Sequence, residues 1–231
     1  MKRFSVAGSS EPVALPVPLN APLRVVVQAG ELDPLSVTPA SVQVRTAAGR
    51  SLAHVTAVQD NLIEVFLVID ESLWANPPSD VLVVLAGSPS PHGLRSRAGA
   101  RLRRSQSIGF RLENSLSASH APRLISVAGD PLPLDHEVSF SGQLDLVFEG
   151  AIDPLTVAPA SCPLALRRAG LSLSPILPDC RWQLVGERFE LTLEVGEDLG
   201  ELRLNTRDLG LRGPQGRAPS PQVQVDLVSE A

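Results

Sequence analysis

The chain has 231 residues, 43% hydrophobic and 19% charged, so it holds ample apolar material for packed cores and does not have the composition of a disordered polymer. Its 25 acidic against 20 basic side chains give a net charge of −5, which argues against general affinity for nucleic acid or an anionic membrane. The length is generous for one small β-domain and suits two of about 115 residues.

Lys2 is the one lysine beside nineteen arginines, a skew that fits a GC-rich genome better than phosphate chemistry. Met1-Lys2-Arg3 runs into strand-like sequence without an apolar signal region, and no apolar run reaches membrane-spanning length. A removed leader, unconventional export and retention inside the cell all fit that start.

Three segments recur in order. Ser5-Val6-Ala7-Gly8 returns as Ser126-Val127-Ala128-Gly129, and Gly93-Leu94-Arg95 returns as Gly210-Leu211-Arg212. Between them Leu32-Asp33-Pro34-Leu35-Ser36-Val37-Thr38-Pro39-Ala40-Ser41 returns as Ile152-Asp153-Pro154-Leu155-Thr156-Val157-Ala158-Pro159-Ala160-Ser161. Such matches predict an internal repeat covering nearly the whole chain. The small, polar stretch from Glu113 to Pro122 reads as a linker, giving domains at residues 1–116 and 117–231. Asp before Pro predicts a capped helical turn at Asp33–Val37 and at its copy, and no other helical period stands out.

In the second copy Phe189, Leu191, Leu193 and Val195 alternate with Arg188, Glu190, Thr192 and Glu194, and Val223, Val225 and Leu227 alternate likewise. About seven short strands per copy, between Pro- and Gly-rich turns, predict an all-β fold of two tandem antiparallel β-sandwiches. In the first copy Leu62, Phe66 and Val68 stand where the second has Arg188, Thr192 and Glu194, and Leu82 and Val84 stand where it has Arg203 and Asn205. These apolar strips on a face that should be wet predict a covered surface. The cover is a protein partner, a second copy of the chain, or the chain's own loops at residues 70–79 and 86–105.

Arg95, Arg97, Arg101, Arg103 and Arg104 crowd one long connection, either a dock for an acidic partner or a solvated, mobile loop. Without interleaved aromatics, base stacking has no platform. Cys162 and Cys180 fall at the two ends of a predicted hairpin closed around Arg168-Ala169-Gly170, which suits a cross-strand disulfide worth about 3 kcal/mol; two buried thiols are the alternative. No Cys-x-x-Cys or His pair completes a zinc site. His54, His92, His120 and His136 lack a nucleophile motif beside them, and the acidic residues form neither a calcium loop nor a paired-carboxylate site. With no tyrosine, two tryptophans and six phenylalanines, a sugar-stacking platform is disfavoured, and Trp74 and Trp182 read as core or turn packing.

The run Leu-Asp-Pro-x-Ser/Thr-Val-x-Pro-Ala-Ser, set after a Val-rich strand and followed by an alternating strand and a Gly-Leu-Arg loop, resembles the bacterial Ig-like repeats of S-layer and surface proteins. The resemblance spans both copies and implies Ig-like or fibronectin-like sandwiches acting as spacers, stalks or adhesive units, without catalysis or cofactor. The arginine-rich segment departs from that pattern. The expected role is a non-enzymatic module of a cell-surface or secreted, extracytoplasmic assembly. Copy one docks a protein partner or self-assembles, and copy two is a spacer. No nucleic acid, membrane insertion or small-molecule substrate is expected. An accessory subunit held in a large complex, or a glycan-binding module beside an enzyme, are the other readings.

Overall fold

The computed structural model describes residues 5–7, 16–28, 30–118, 120–167, 174–196 and 199–229. The chain divides into two compact units, Met1–Ser115 and Leu116–Ala231, and the regular structure of each is mostly antiparallel sheet.

Unit 1 contains β1 (Ser5–Ala7), β2 (Val17–Pro18), β3 (Leu23–Gln28), β4 (Val42–Thr46), β5 (Ser51–Leu52), β6 (His54–Gln59), β7 (Leu62–Asp70), β8 (Asp80–Leu85) and β9 (Gln106–Glu113). One sheet runs β1-β3-β7-β6, all antiparallel. The other runs β2-β9-β8-β4-β5, where only the β2–β9 pair is parallel. The period-two pattern is what folds these strands: Ile63, Val65, Leu67 and Ile69 of β7 and Val81, Val83 and Leu85 of β8 are all buried, while their neighbours point outward. A short helix, α1 (Glu71–Ala75), follows β7, opened by the Asp70 carboxylate accepting the Leu73 N–H at 2.8 Å. It occupies part of the segment read as a loop at residues 70–79.

Unit 2 contains β10 (Arg123–Val127), β11 (Asp130–Pro131), β12 (Val138–Phe140), β13 (Gln143–Glu149), β14 (Ala165–Leu166), β15 (Asp179–Val185), β16 (Arg188–Glu194), β17 (Glu201–Asn205) and β18 (Gln224–Ser229). Its sheets run β11-β10-β13-β16-β15 and β12-β18-β17-β14, again with one parallel pair, β12–β18. Apart from the small strands β5 and β11, this is the strand order of unit 1. Phe148, Phe189, Leu191 and Leu204 are fully buried, and Trp182 stacks on Phe189 at 5.6 Å between centroids.

The repeated motifs have matching structures. Asp33 and Asp153 cap 3-10 turns at Pro34–Ser36 and Pro154–Thr156, accepting the Leu35 and Leu155 N–H groups at 3.1 and 3.0 Å. Further 3-10 turns lie at Pro159–Ser161 and Thr206–Asp208.

Leu164 and Ile176 exchange backbone hydrogen bonds as an antiparallel pair on either side of the turn expected between the two cysteines. Residues 168–170, the predicted turn itself, lie outside the described residues. Beyond that pair the two arms part, β14 pairing with β17 and β15 with β16; Cys162 precedes β14 and Cys180 lies in β15. Both cysteines stand as thiols.

Candidate interaction surfaces

Strand β7 presents Leu62, Glu64, Phe66 and Val68 on its outer face, each partly exposed. Cross-strand register extends the apolar surface: Val26 of β3 lies opposite Leu62 and Val55 of β6 opposite Phe66, and each of these valines is 49% exposed. The Arg24–Glu64 ion pair, 2.9 Å, sits within this strip. The same face of unit 2 carries its own polar network. Thr192 donates to Asp145 at 2.6 Å, Gln183 to Glu190 at 2.6 Å, and Arg181 pairs with Glu194 at 2.9 Å.

Leu82 and Val84 lie in the other sheet, so the two strips predicted from sequence occupy different faces of unit 1. Leu82 is 39% exposed and Val84 half-buried, but their register partners are Arg45 and Gly109, and Gln43 and Ser107. The first strip is broad; the second is a narrow apolar line between polar strands.

The segment at residues 86–105 is ordered by main-chain bonds. Leu94 donates to Ala86 O at 2.9 Å, Leu102 to Leu94 O at 2.8 Å and Ser96 to Ala100 O at 2.8 Å, with Gly99 left-handed at the tip. Leu94 and Leu102 are buried, pinning the hairpin to the core. Among the described residues its outside bonds run to Glu31, Asp33, Ser36 and Ser41. At the base, Gly87 makes a close approach: a Cβ there would lie 2.2 Å from the Arg104 carbonyl carbon.

All five arginines are exposed. Arg95 reaches Asp33 at 3.9 Å and Arg97 reaches Glu31 at 3.4 Å, while Arg101, Arg103 and Arg104 make no ion pair among the described residues. Unit 2 repeats part of this bonding, Gly213 donating to Arg217 O at 2.8 Å and Asp153 to Arg212 O at 2.7 Å, while Pro214 and Pro219, which have no N–H, stand where Arg97 and Leu102 donate. The arginine-rich segment is therefore the counterpart of an element present in both units. Its side chains differ, since Ala218, Ser220 and Pro221 stand where unit 1 has Arg101, Arg103 and Arg104.

Two features escaped the sequence reading. Leu35 and Leu155, on the capped turns, are 87% and 82% exposed. Each sits between Pro and Ser/Thr, and the local signal was an apolar side chain inside a three-residue turn too short to bury it. Second, the hairpin and the β7 strip are linked. Asn61 precedes Leu62 and its Oδ1 accepts the Leu32 N–H at 2.8 Å, while Leu32 bridges to Ser96 of the hairpin.

The titratable groups pair locally. His54 lies between the carbonyls of Leu52 and Val42, at 3.1 and 3.0 Å. His136 sits 2.9 Å from Asp135 and 3.3 Å from Asp130; its hydrogen bonds, first to Asp135 and then to Asp130, raise its pKa, and the bond from His136 lowers that of Asp135. The Arg203 guanidinium, 2.8 Å away, holds the Asp226 carboxyl below the usual carboxylate range. A groove of about 290 Å³ in unit 2, between Arg123, Leu124, Leu132 and Val223, has one charged lining residue, and Arg123 is paired with Glu149 at 2.6 Å. Among the described residues no group of His, Cys, Asp and Glu could hold a metal ion, and no helix is long and apolar enough to cross a membrane. No protein-family model matches the chain and no curated protein matches it, so its own residues carry the functional reading.

Proposed function

We propose that the chain is a tandem pair of Ig-like β-sandwiches serving as a non-enzymatic interaction module of a bacterial surface or secreted assembly. In this reading unit 1 docks an acidic protein partner and unit 2 acts as the spacer. The fold part rests on strand order. Named A to G, β1, β3, β4, β6, β7, β8 and β9 give sheets A-B-E-D and C-F-G, the arrangement of Ig constant-type sandwiches.

The observation that carries the docking role is the contrast between equivalent surfaces. Where unit 2 closes its outer face with polar pairs and carries Ala218, Ser220 and Pro221 on the returning arm of its hairpin, unit 1 offers Val26, Val55, Leu62 and Phe66 and an ordered hairpin with three arginines that have no ion-pair partner among the described residues. Exposed Leu35, beside Asp33 and Arg95, adds an apolar anchor next to the guanidinium groups. Arginine around an apolar anchor suits an acidic protein surface, because the charges guide encounter and the buried apolar area holds the complex.

The test is light scattering coupled to size exclusion on the native chain taken from its source. A mass well above 24.5 kDa, with stoichiometric protein lost on replacing Arg101, Arg103 and Arg104 by Glu, is the expected result. A lone monomer at low salt, or a complex indifferent to the charge reversal, would overturn the docking assignment.

A further inference from the structure

Cys162 and Cys180 take no part in these surfaces, yet their placement follows a pattern. Cys180 opens β15 on the inward side with buried Trp182 and Leu184 and is itself half-buried; its Sγ donates to Pro178 O at 3.4 Å. Cys162, fully buried, follows the 3-10 turn Pro159–Ser161, and its thiol lies within hydrogen-bonding reach of Cys180.

Unit 1 has the same device in different atoms. Val42 follows Ser41 as Cys162 follows Ser161, and His54 precedes its β-turn by the same count as Cys180 precedes Gly186. The His54 ring contacts the carbonyl two residues back, Leu52, and the main chain of Val42 across the sheets. Cys180 likewise contacts the carbonyl two residues back, Pro178, and Cys162 across the sheets. This position is a clasp between a strand of one sheet and the start of the other. In unit 1 it is held by an imidazole, and in unit 2 by two thiols, which alone can be bonded covalently and released.

We propose that Cys162 and Cys180 form a reversible thiol–disulfide clasp that reacts with small disulfides of the glutathione type, Cys180 being the attacking residue and Cys162 the resolving one. The Cys180 thiolate attacks one sulfur of glutathione disulfide; that S–S bond breaks, a Cys180–glutathione mixed disulfide forms, and one glutathione thiolate leaves. Cys162 then loses its proton to the departing thiolate pool and its sulfur attacks the Cys180 sulfur. This closes the Cys162–Cys180 bond and releases the second glutathione. Two protein thiols are oxidised and one glutathione disulfide is reduced to two glutathiones. In the reduced chain the neighbouring Cys180 and burial both push the Cys162 thiol up; once Cys180 is in the mixed disulfide, burial is the cause that persists, and it slows resolution.

The full chain is incubated with oxidised glutathione and followed by intact mass and thermal melting. The expected course is a transient one-glutathione adduct, then a species lighter than the reduced chain by two hydrogens. Melting of unit 2 should rise by about 10 °C, reversibly with dithiothreitol. Cys162→Ser should stop at a stable adduct, and Cys180→Ser should not react. An unchanged mass in the wild-type chain would overturn the clasp, and an adduct formed on Cys180→Ser would overturn the assigned order of attack.

Discussion

The Ser36 hydroxyl accepts the Arg95 backbone N–H at 3.1 Å while donating to the Asp33 carbonyl at 2.7 Å, so one buried side chain ties the capped turn to the arginine hairpin. Thr156 and Arg212 repeat the relationship at 3.1 Å. The Leu-Asp-Pro and Gly-Leu-Arg segments, far apart in sequence, recur because they are two halves of one joint.

Replacing Ser36 with Ala leaves the Arg95 N–H without its acceptor, at an expected cost of about 1–3 kcal/mol. Thr156→Val should cost unit 2 a similar amount. Denaturant titration measures both; an unchanged midpoint for Ser36→Ala would show that water replaces the hydroxyl there.

Phe66→Ser together with Leu82→Ser should weaken partner binding while lowering stability by no more than about 1 kcal/mol, since both side chains point to the outer faces. Calorimetry separates the cases. A large drop in Tm would assign them to the core.

Gly87→Ala forces a methyl group against the Arg104 backbone, and overpacking of this kind costs about 1–3 kcal/mol. Hydrogen exchange should show protection falling at residues 94–102 before the sheets lose theirs. Uniform loss across unit 1 would mean that the hairpin and the core unfold together.

His136, with its pKa raised in the folded chain, favours folding most at pH values below the unfolded value of 6.5, and that contribution fades as pH rises through the folded value. The turn from Asp130 to His136 should therefore be tightest in mild acid and loosen as pH rises through the folded value. An NMR titration of the imidazole should give a midpoint above 6.5, moved toward it by salt. A midpoint at or below 6.5 would show that the bonds to Asp130 and Asp135 are not kept in solution.

Strands such as Leu62–Asp70 and Arg188–Glu194 were legible because alternation is a local property, and the capped turns because Asp-Pro states its own geometry. The arginine hairpin was not, since its order comes from Leu94 and Leu102 entering the core and from bonds to Asp33 and Ser36, none of them local. The five-residue helix at Glu71–Ala75 is too short to show a period. The Cys162–Cys180 pair was legible from the hairpin between them, but its likeness to the His54 contact of unit 1 was hidden by spacing. Its partners lie further apart in unit 2 than in unit 1, and only the placement of β6 and β15 brings His54 and Cys180 to equivalent sites.

Because main-chain bonds shape the hairpin in both units, its returning arm tolerates a change of cargo. Arg101, Arg103 and Arg104 stand in slots that Ala218, Ser220 and Pro221 fill on the same scaffold. The protein thus holds a more and a less charged edition of one cassette, five arginines against two, and transplanting the three arginines into unit 2 would write a second docking address onto the spacer.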